Sequence, residues 1–268
     1  MDPISAFYLE KQTSLARYPQ DPIQKQLTAD FLKWCFDNRY MYHFEALGRP
    51  IIQFPADIIA IQEIIWATRP DLIIETGIAH GGSVVNSAHM LATLDLADAM
   101  SSGGPYDWAN SRRRVIAVDV DIRTHNQQLI DSHPLQHFIK MIEGSSIDIG
   151  VVKEIERLAD GYDRVLVLLD SHHTHDHVLA ELNAYAPLVS PGSYCVVYDT
   201  VIEDLPQNYF LDRPWEPGNS PFTAVESFLA QSGVAEEFER THEYNTKLVL
   251  SGCRAGYLQR RVKDLENS

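Results

Sequence analysis

Apolar residues along this chain fall into short continuous runs separated by longer stretches in which they recur every three or four positions. The runs at 72–76, 115–119, 138–142, 165–170 and 194–199 are too short for helices and too uniformly apolar for strands wetted on one side. Such runs predict strands buried on both faces. Between them, helical spacing covers Ser83, Val84, Val85, Ala88 and Leu91, then 151–158 and 178–188; a helix through Ile58, Ile61, Ile65 and Trp66 precedes them and stops at Pro70. Strands alternating with helices predict a mostly parallel sheet covered on both sides, an α/β architecture. After an irregular stretch at 200–221, a helix at 225–229 and a strand at 247–250 are expected to close the sheet with an antiparallel hairpin. The first 50 residues read differently. Thr28 is expected to cap a helix carrying Phe31, Leu32, Cys35 and Phe36 on one face, with Gly48 ending it. This pattern divides the chain into an N-terminal helical extension, 1–50, serving as a lid or subunit contact, and a main domain, 51–268. The segment 95–111, rich in Gly, Ser and Asp, reads as a surface loop.

Composition narrows the partners. The formal charge of −15 excludes nucleic acid as the main ligand, because phosphate backbones require clustered Lys and Arg. The run Arg112-Arg113-Arg114 is short and leads straight into a strand. No charged-then-apolar leader and no membrane-length apolar run is visible, so no membrane partner and a cytoplasmic location are expected. Cys35, Cys195 and Cys253 show neither metal spacing nor a disulfide framework.

Chemistry is concentrated after the first strand, in Glu75-Thr-Gly-Ile-Ala-His-Gly-Gly-Ser83. Strand, glycine turn and apolar helix together make a nucleotide-sized crevice. The turn is not the G-x-G-x-x-G of pyrophosphate binders. An acid before its first glycine repels phosphate and attracts an ammonium or a ribose hydroxyl, both of which S-adenosylmethionine carries. Thr76, Gly77, Ala79, Gly81 and Ser83 complete the expected cofactor loop. Asp119, after the second strand, sits where an acid grips ribose, with Asp121 competing for that role, and Gly144-Ser145-Ser146 forms a small turn that suits adenine. Four strands end in or beside acids: Glu75, Asp119, Asp170 and Asp199. Brought to one sheet edge these acids repel one another unless cations or donors compensate.

The densest cluster is Asp170-Ser-His-His-Thr-His-Asp-His177. Asp170, Asp199 and Glu203 offer the carboxylate oxygens that Mg²⁺ or another hard divalent cation takes. The histidines could instead build a two-His-one-carboxylate centre, but helical spacing lets only His173 and His177 share a face. His173, three residues past Asp170, is placed to take a proton from a substrate hydroxyl near neutral pH.

The segments Glu75–Ser83, Asp119–Arg123 with His125-Asn126, Ile142–Asp148, Leu169–His175, Tyr185–Val189 and Pro217–Val225 together resemble the cephalosporin hydroxylase / rhamnosyl O-methyltransferase family. The resemblance covers roughly residues 50–260, leaving the N-terminal region least covered. It implies a Rossmann-like class I methyltransferase fold with a mostly parallel seven-stranded sheet, S-adenosylmethionine as methyl donor and, in most members, a divalent metal. Carried across, it makes Asp170 and Asp199 metal ligands, Asp119 the ribose contact and Ser145–Ser146 the adenine side. Some members have Glu-Asp where this chain has Tyr198-Asp199, which leaves the third ligand open, with Glu203 first and Asp204 behind it. The expected reaction is O-methylation of a sugar or natural-product hydroxyl; its rivals are a metal-dependent hydroxylase and a non-catalytic partner subunit. His172, Tyr198 and the loop residues Tyr209 and Trp215 are expected to meet the acceptor. Crowded N-terminal aromatics (Trp34, Phe36, Tyr40, Tyr42, Phe44) point to a homo-oligomer.

Overall fold

The computed structural model describes residues 1–262; the end of the expected 51–268 domain lies outside the described residues. Two helices, α1 (Pro3–Leu15) and α2 (Pro22–Asp37), lead to a small hairpin of β1 (Phe44–Ala46) and β2 (Arg49–Ile51). The main run is α3 (Pro55–Thr68), β3 (Leu72–Thr76), α4 (Gly82–Ser102), β4 (Arg114–Asp119), α5 (Thr124–Asp131), β5 (Ile139–Glu143), α6 (Ile149–Ala159), β6 (Val165–Leu169), α7 (His175–Tyr185) and β7 (Tyr194–Val197). It closes with α8 (Pro221–Leu229), α9 (Val234–Glu237), β8 (Phe238–Arg240), α10 (His242–Lys247) and β9 (Tyr257–Arg260). Seven strands form one sheet in the order β5-β4-β3-β6-β7-β9-β8, parallel except for β9, which runs antiparallel to both neighbours.

Strand parity explains the two cores. In β3, Ile73 packs with α3 and α4, while Leu72 and Ile74 pack with α6 and α7 on the other face. Each such fully buried Ile or Leu contributes roughly 1.5–3 kcal/mol. Glu75 shares parity with Ile73, so the same alternation that builds the core sends an acid beneath α4. Strand order reverses between β3 and β6, and the ends of those two strands are where a ligand crevice opens in this architecture.

The five strands β3 to β7 match the apolar runs, and four further expectations need correction. No strand forms at 247–250. Lys247 ends α10 and pairs with Glu63 and Glu243, while Leu248 and Leu250 pack on two different apolar clusters, so the run is satisfied by packing without a ladder. The antiparallel closure comes from β9 instead. Near the N-terminus, Thr28 lies inside α2. The cap is Asp21, whose carboxylate accepts from Ile23 N and Gln24 N, with Pro22 in the first turn, a stronger start signal than an isolated Thr. Gly48 turns the β1–β2 hairpin together with Leu47, both at positive φ, and does not end a helix. Finally, α4 continues to Ser102, through much of the expected loop, because Asp95 and Asp98 on it are held by Arg113. All three cysteines are buried free thiols, and among the described residues no helix is long and apolar enough to cross a membrane.

Candidate active site

The glycine turn after β3 is held from three sides. Gly77 has φ +88°, and a Cβ there would lie 1.9 Å from the carbonyl oxygen of Asp170; only glycine lets the ends of β3 and β6 meet. Asp119 Oδ2 accepts from the backbone of Ile78 at 2.8 Å and of Ala79 at 3.2 Å, and its Oδ1 accepts from Asp121 N at 3.1 Å. The buried Arg49 of β2 donates to the His80 carbonyl at 2.9 Å and to Asn126 Oδ1 at 2.8 Å. Asn126 then donates to the Ala79 carbonyl at 2.8 Å. These bonds fix Ala79 in a left-handed conformation, φ +46°, that its side chain disfavours. Asp121 is exposed beside Arg123. Gly81 (φ +82°) precedes the helix that begins with Gly82 and Ser83.

Glu75 is turned inward, beneath α4. It is only 1% exposed, with Ser87 Oγ 3.3 Å from its Oε2 and no hydrogen-bond partner for Oε1 among the described residues. Burial pushes its carboxyl up to about 7. The Ser83 hydroxyl also reaches this carboxylate, and Oε1 keeps acceptor capacity for a further donor.

Across the seam at Gly77, Asp170, His173 and Asp199 come together. One ligand atom from each lies within 4.8 Å of the others, and His173 Nε2 is 3.0 Å from Asp199 Oδ2. Asp199 follows β7 at φ +54°, a strained backbone that turns its carboxylate toward Asp170. Burial, with Asp199 and Glu75 nearby, holds the Asp170 carboxyl well above its usual range, against a hydrogen bond from Gln53. Two carboxylates this close fit a divalent cation, which would relieve their repulsion.

The remaining candidates have other partners. Glu203 accepts from Ser220 Oγ at 2.6 Å and Gly218 N at 3.0 Å, bracing the start of α8 away from the three-residue cluster. Asp204 pairs with Arg254. Of the four histidines, only His173 joins the acids, and it precedes α7 where it shares no helix face with His177. His177 Nε2 lies 3.0 Å from the hydroxyl of buried Ser146, after the positive-φ Gly144 and the half-buried Ser145. His175 bonds to Thr223. His172 is exposed, and the Trp215 ring packs edge-on against both it and His173, at centroid distances of 5.4 and 4.7 Å. Tyr198 is buried in the core on the α3–α4 side. The Tyr209 hydroxyl donates to Asp37 at the end of α2, 2.7 Å away, and so ties the long loop to the N-terminal helices. Sequence reading missed Arg49 and Gln53, whose partners lie far along the chain.

A sequence model described as Rhamnosyl O-methyltransferase/CmcI matches residues 38–261. The rhamnosyl O-methyltransferase of Mycobacterium tuberculosis is 26% identical over 244 residues, covering 90% of this chain and 86% of its own. That of Mycobacterium leprae is 28% identical over 203 residues, covering 75% and 77% respectively. Among solved structures, CmcI described with Mg-SAM superposes with a TM-score of 0.52 at 17% identity, covering 82% of this chain and 78% of that one.

Proposed function

The chain belongs to the rhamnosyl O-methyltransferase/CmcI family, and on that basis we propose that it moves the methyl group of S-adenosylmethionine to a hydroxyl of a sugar or sugar-bearing natural product, assisted by a divalent cation. The observation that carries this reading is the convergence of Asp170, His173 and Asp199 beside the glycine turn. The mycobacterial relatives, named for a rhamnosyl acceptor, favour a sugar.

On the donor side, the unpartnered Oε1 of Glu75 suits the ammonium of the methionine moiety, and the rigid turn from Gly77 to Gly81 suits a phosphate-free nucleoside. Asp119 already spends lone pairs on the turn, so a ribose contact would use its remaining acceptor capacity. Ser145 and Ser146 remain the adenine side. Opposite them, Asp170 and Asp199 would hold the cation. Bound there, it would lower the pKa of a chelating hydroxyl and fix its angle to the methyl group. His173 donates Nε2–H to Asp199, which orients the ring and leaves Nδ1 as the lone pair that accepts the substrate proton. Trp215, edge-on to His173, shields the imidazole from water and forms one wall for the acceptor. An acidic site stabilises the sulfonium before transfer as well as during it, so rate must come from positioning and proton removal.

Asp170→Asn and Asp199→Asn are expected to lower turnover by at least about a thousandfold, with S-adenosylhomocysteine affinity falling only a few-fold. Release of S-adenosylhomocysteine over rhamnosides, other glycosides and catechols measures this and ranks acceptors. Undiminished wild-type turnover in EDTA would overturn the cation's role.

A further inference from the structure

One short segment at the entrance to α3 reaches both acids of the cluster. Buried Gln53 donates its side-chain amide to the Asp170 carboxylate. Phe54 packs in one apolar cluster with Val201, two residues beyond Asp199. Asp57, in the first turn of α3, is 1% exposed and accepts three hydrogen bonds. Ser251 Oγ at 2.6 Å and Tyr257 OH at 2.7 Å reach its Oδ1, and Gly252 N at 2.7 Å reaches its Oδ2. The carbonyl of Gly252 in turn accepts from Val201 N and Thr200 Oγ1, both at 3.3 Å. The path from Asp57 therefore ends on the two residues that follow Asp199, at the point where the backbone is held left-handed.

The backbone pairing of β7 with β9 does not itself use this arrangement. The β7–β9 ladder is paired independently, from Tyr194 to Val196 against Gln259 to Tyr257, and α3 ends on its own backbone cap at Arg69. An acid buried at a helix start opposes stability unless its donors are all in place. Its burial here is explained if those donors have to be held, and two of the three belong to the loop that supports Asp199.

We infer that Gln53 and Asp57 are positioning residues that set the separation and direction of the Asp170 and Asp199 carboxylates for a cation. The inference rests on the metal reading above. Gln53 orients one acid directly. Asp57 orients the other through Ser251, Gly252 and the 200–201 backbone, so that one rigid segment, 53–57, sets both ligands from a single side. Among the described residues no hydrogen bond joins Asp57 to the glycine turn, so the methyl donor's half of the site is expected to be independent of this path.

Mn²⁺ binding to the EDTA-stripped full chain, followed by the loss of the free-ion EPR signal, tests this in Gln53→Met, Asp57→Asn and Ser251→Ala. Each is expected to weaken Mn²⁺ binding about tenfold, the size of effect seen when partners of metal ligands are removed. Calorimetric S-adenosylhomocysteine affinity in EDTA should stay within about twofold, which a general loosening of the fold would not allow. Ser251→Thr keeps the hydroxyl and should retain wild-type Mn²⁺ affinity. Should Asp57→Asn fail to fold, Gln53→Met and Ser251→Ala decide the matter. Wild-type Mn²⁺ affinity in the folded variants overturns the inference, whereas a wild-type chain that binds no Mn²⁺ overturns the metal reading itself.

Discussion

Glu75 sits where strand parity sends it, under α4, and its carboxyl is raised from the ordinary 4.5 to about 7 by burial. A group whose folded pKa exceeds its unfolded value contributes stability that is complete below the unfolded pKa and lost as pH rises through the folded one. In the cofactor-free protein, the melting temperature should therefore fall between about pH 4.5 and 7. Glu75→Gln should flatten that fall, by a difference of about 3 kcal/mol at neutral pH. Denaturation at several pH values in both proteins measures it; parallel profiles would show that the acid is not buried as described. At this scale the strand-end acids were legible because each lies within a few residues of an apolar run. The orphaned oxygen of Glu75 was not, since exposure depends on what α4 places above it. Gln53 and Arg49 carry no local signature. Their partners, Asp170 and Asn126, are neighbours only after folding.

Among the elements, the β1–β2 hairpin braces the glycine turn. It contributes Arg49 to the turn, and Gly82 at the start of α4 has no Cβ because one would lie 2.2 Å from the Pro50 carbonyl. Arg49→Met removes two charge-assisted donors to buried acceptors, each worth about 1.5–3 kcal/mol. It is expected to weaken S-adenosylhomocysteine binding by about tenfold or more while leaving metal-free secondary structure intact, read by calorimetry and circular dichroism. The hairpin went unread because its strands are three residues long and its turn is Leu47-Gly48. The parallel strands were plain because burial on both faces leaves no polar position to break the run. The C-terminal strands β8 and β9 are short and carry charged residues, Glu239, Arg240 and Arg260, so their signal was weaker than that of the apolar 248–250 beside them.

At the level of the whole molecule, the N-terminal helices leave apolar surface uncovered. Ile23, Leu27, Phe31 and Trp34 of α2 lie about one helical turn apart and are 50–70% exposed, and the first three flank a groove of about 550 Å³ completed by Val249 and Leu250. Helix α1 has no buried residue, and Ile4, Phe7, Tyr8 and Leu9 are all exposed. At roughly 100 Å² each, these eight side chains approach the ~800 Å² that each partner gives a stable interface. A second copy of the chain is the expected occupant: the charge of −15 opposes an anionic membrane, and between two copies its repulsion has to be outweighed by apolar burial. Sedimentation velocity should show a dimer or larger species, shifted toward monomer by Leu27→Glu with Phe31→Glu. A wild-type monomer at tens of micromolar would end that expectation.

The contact between Gly77 and the Asp170 carbonyl bears on how new acceptors could arise in this scaffold. The ends of β3 and β6 meet there main chain against main chain, so on the proposed reading part of the alignment of donor with acceptor is written into the sheet. On the same reading substrate choice would fall to the long loop bearing Arg213 and Trp215, which leans on α2 through Tyr209. Such a division makes acceptor range the evolvable property of the chain: loop changes can be sampled while the transfer geometry is inherited unchanged.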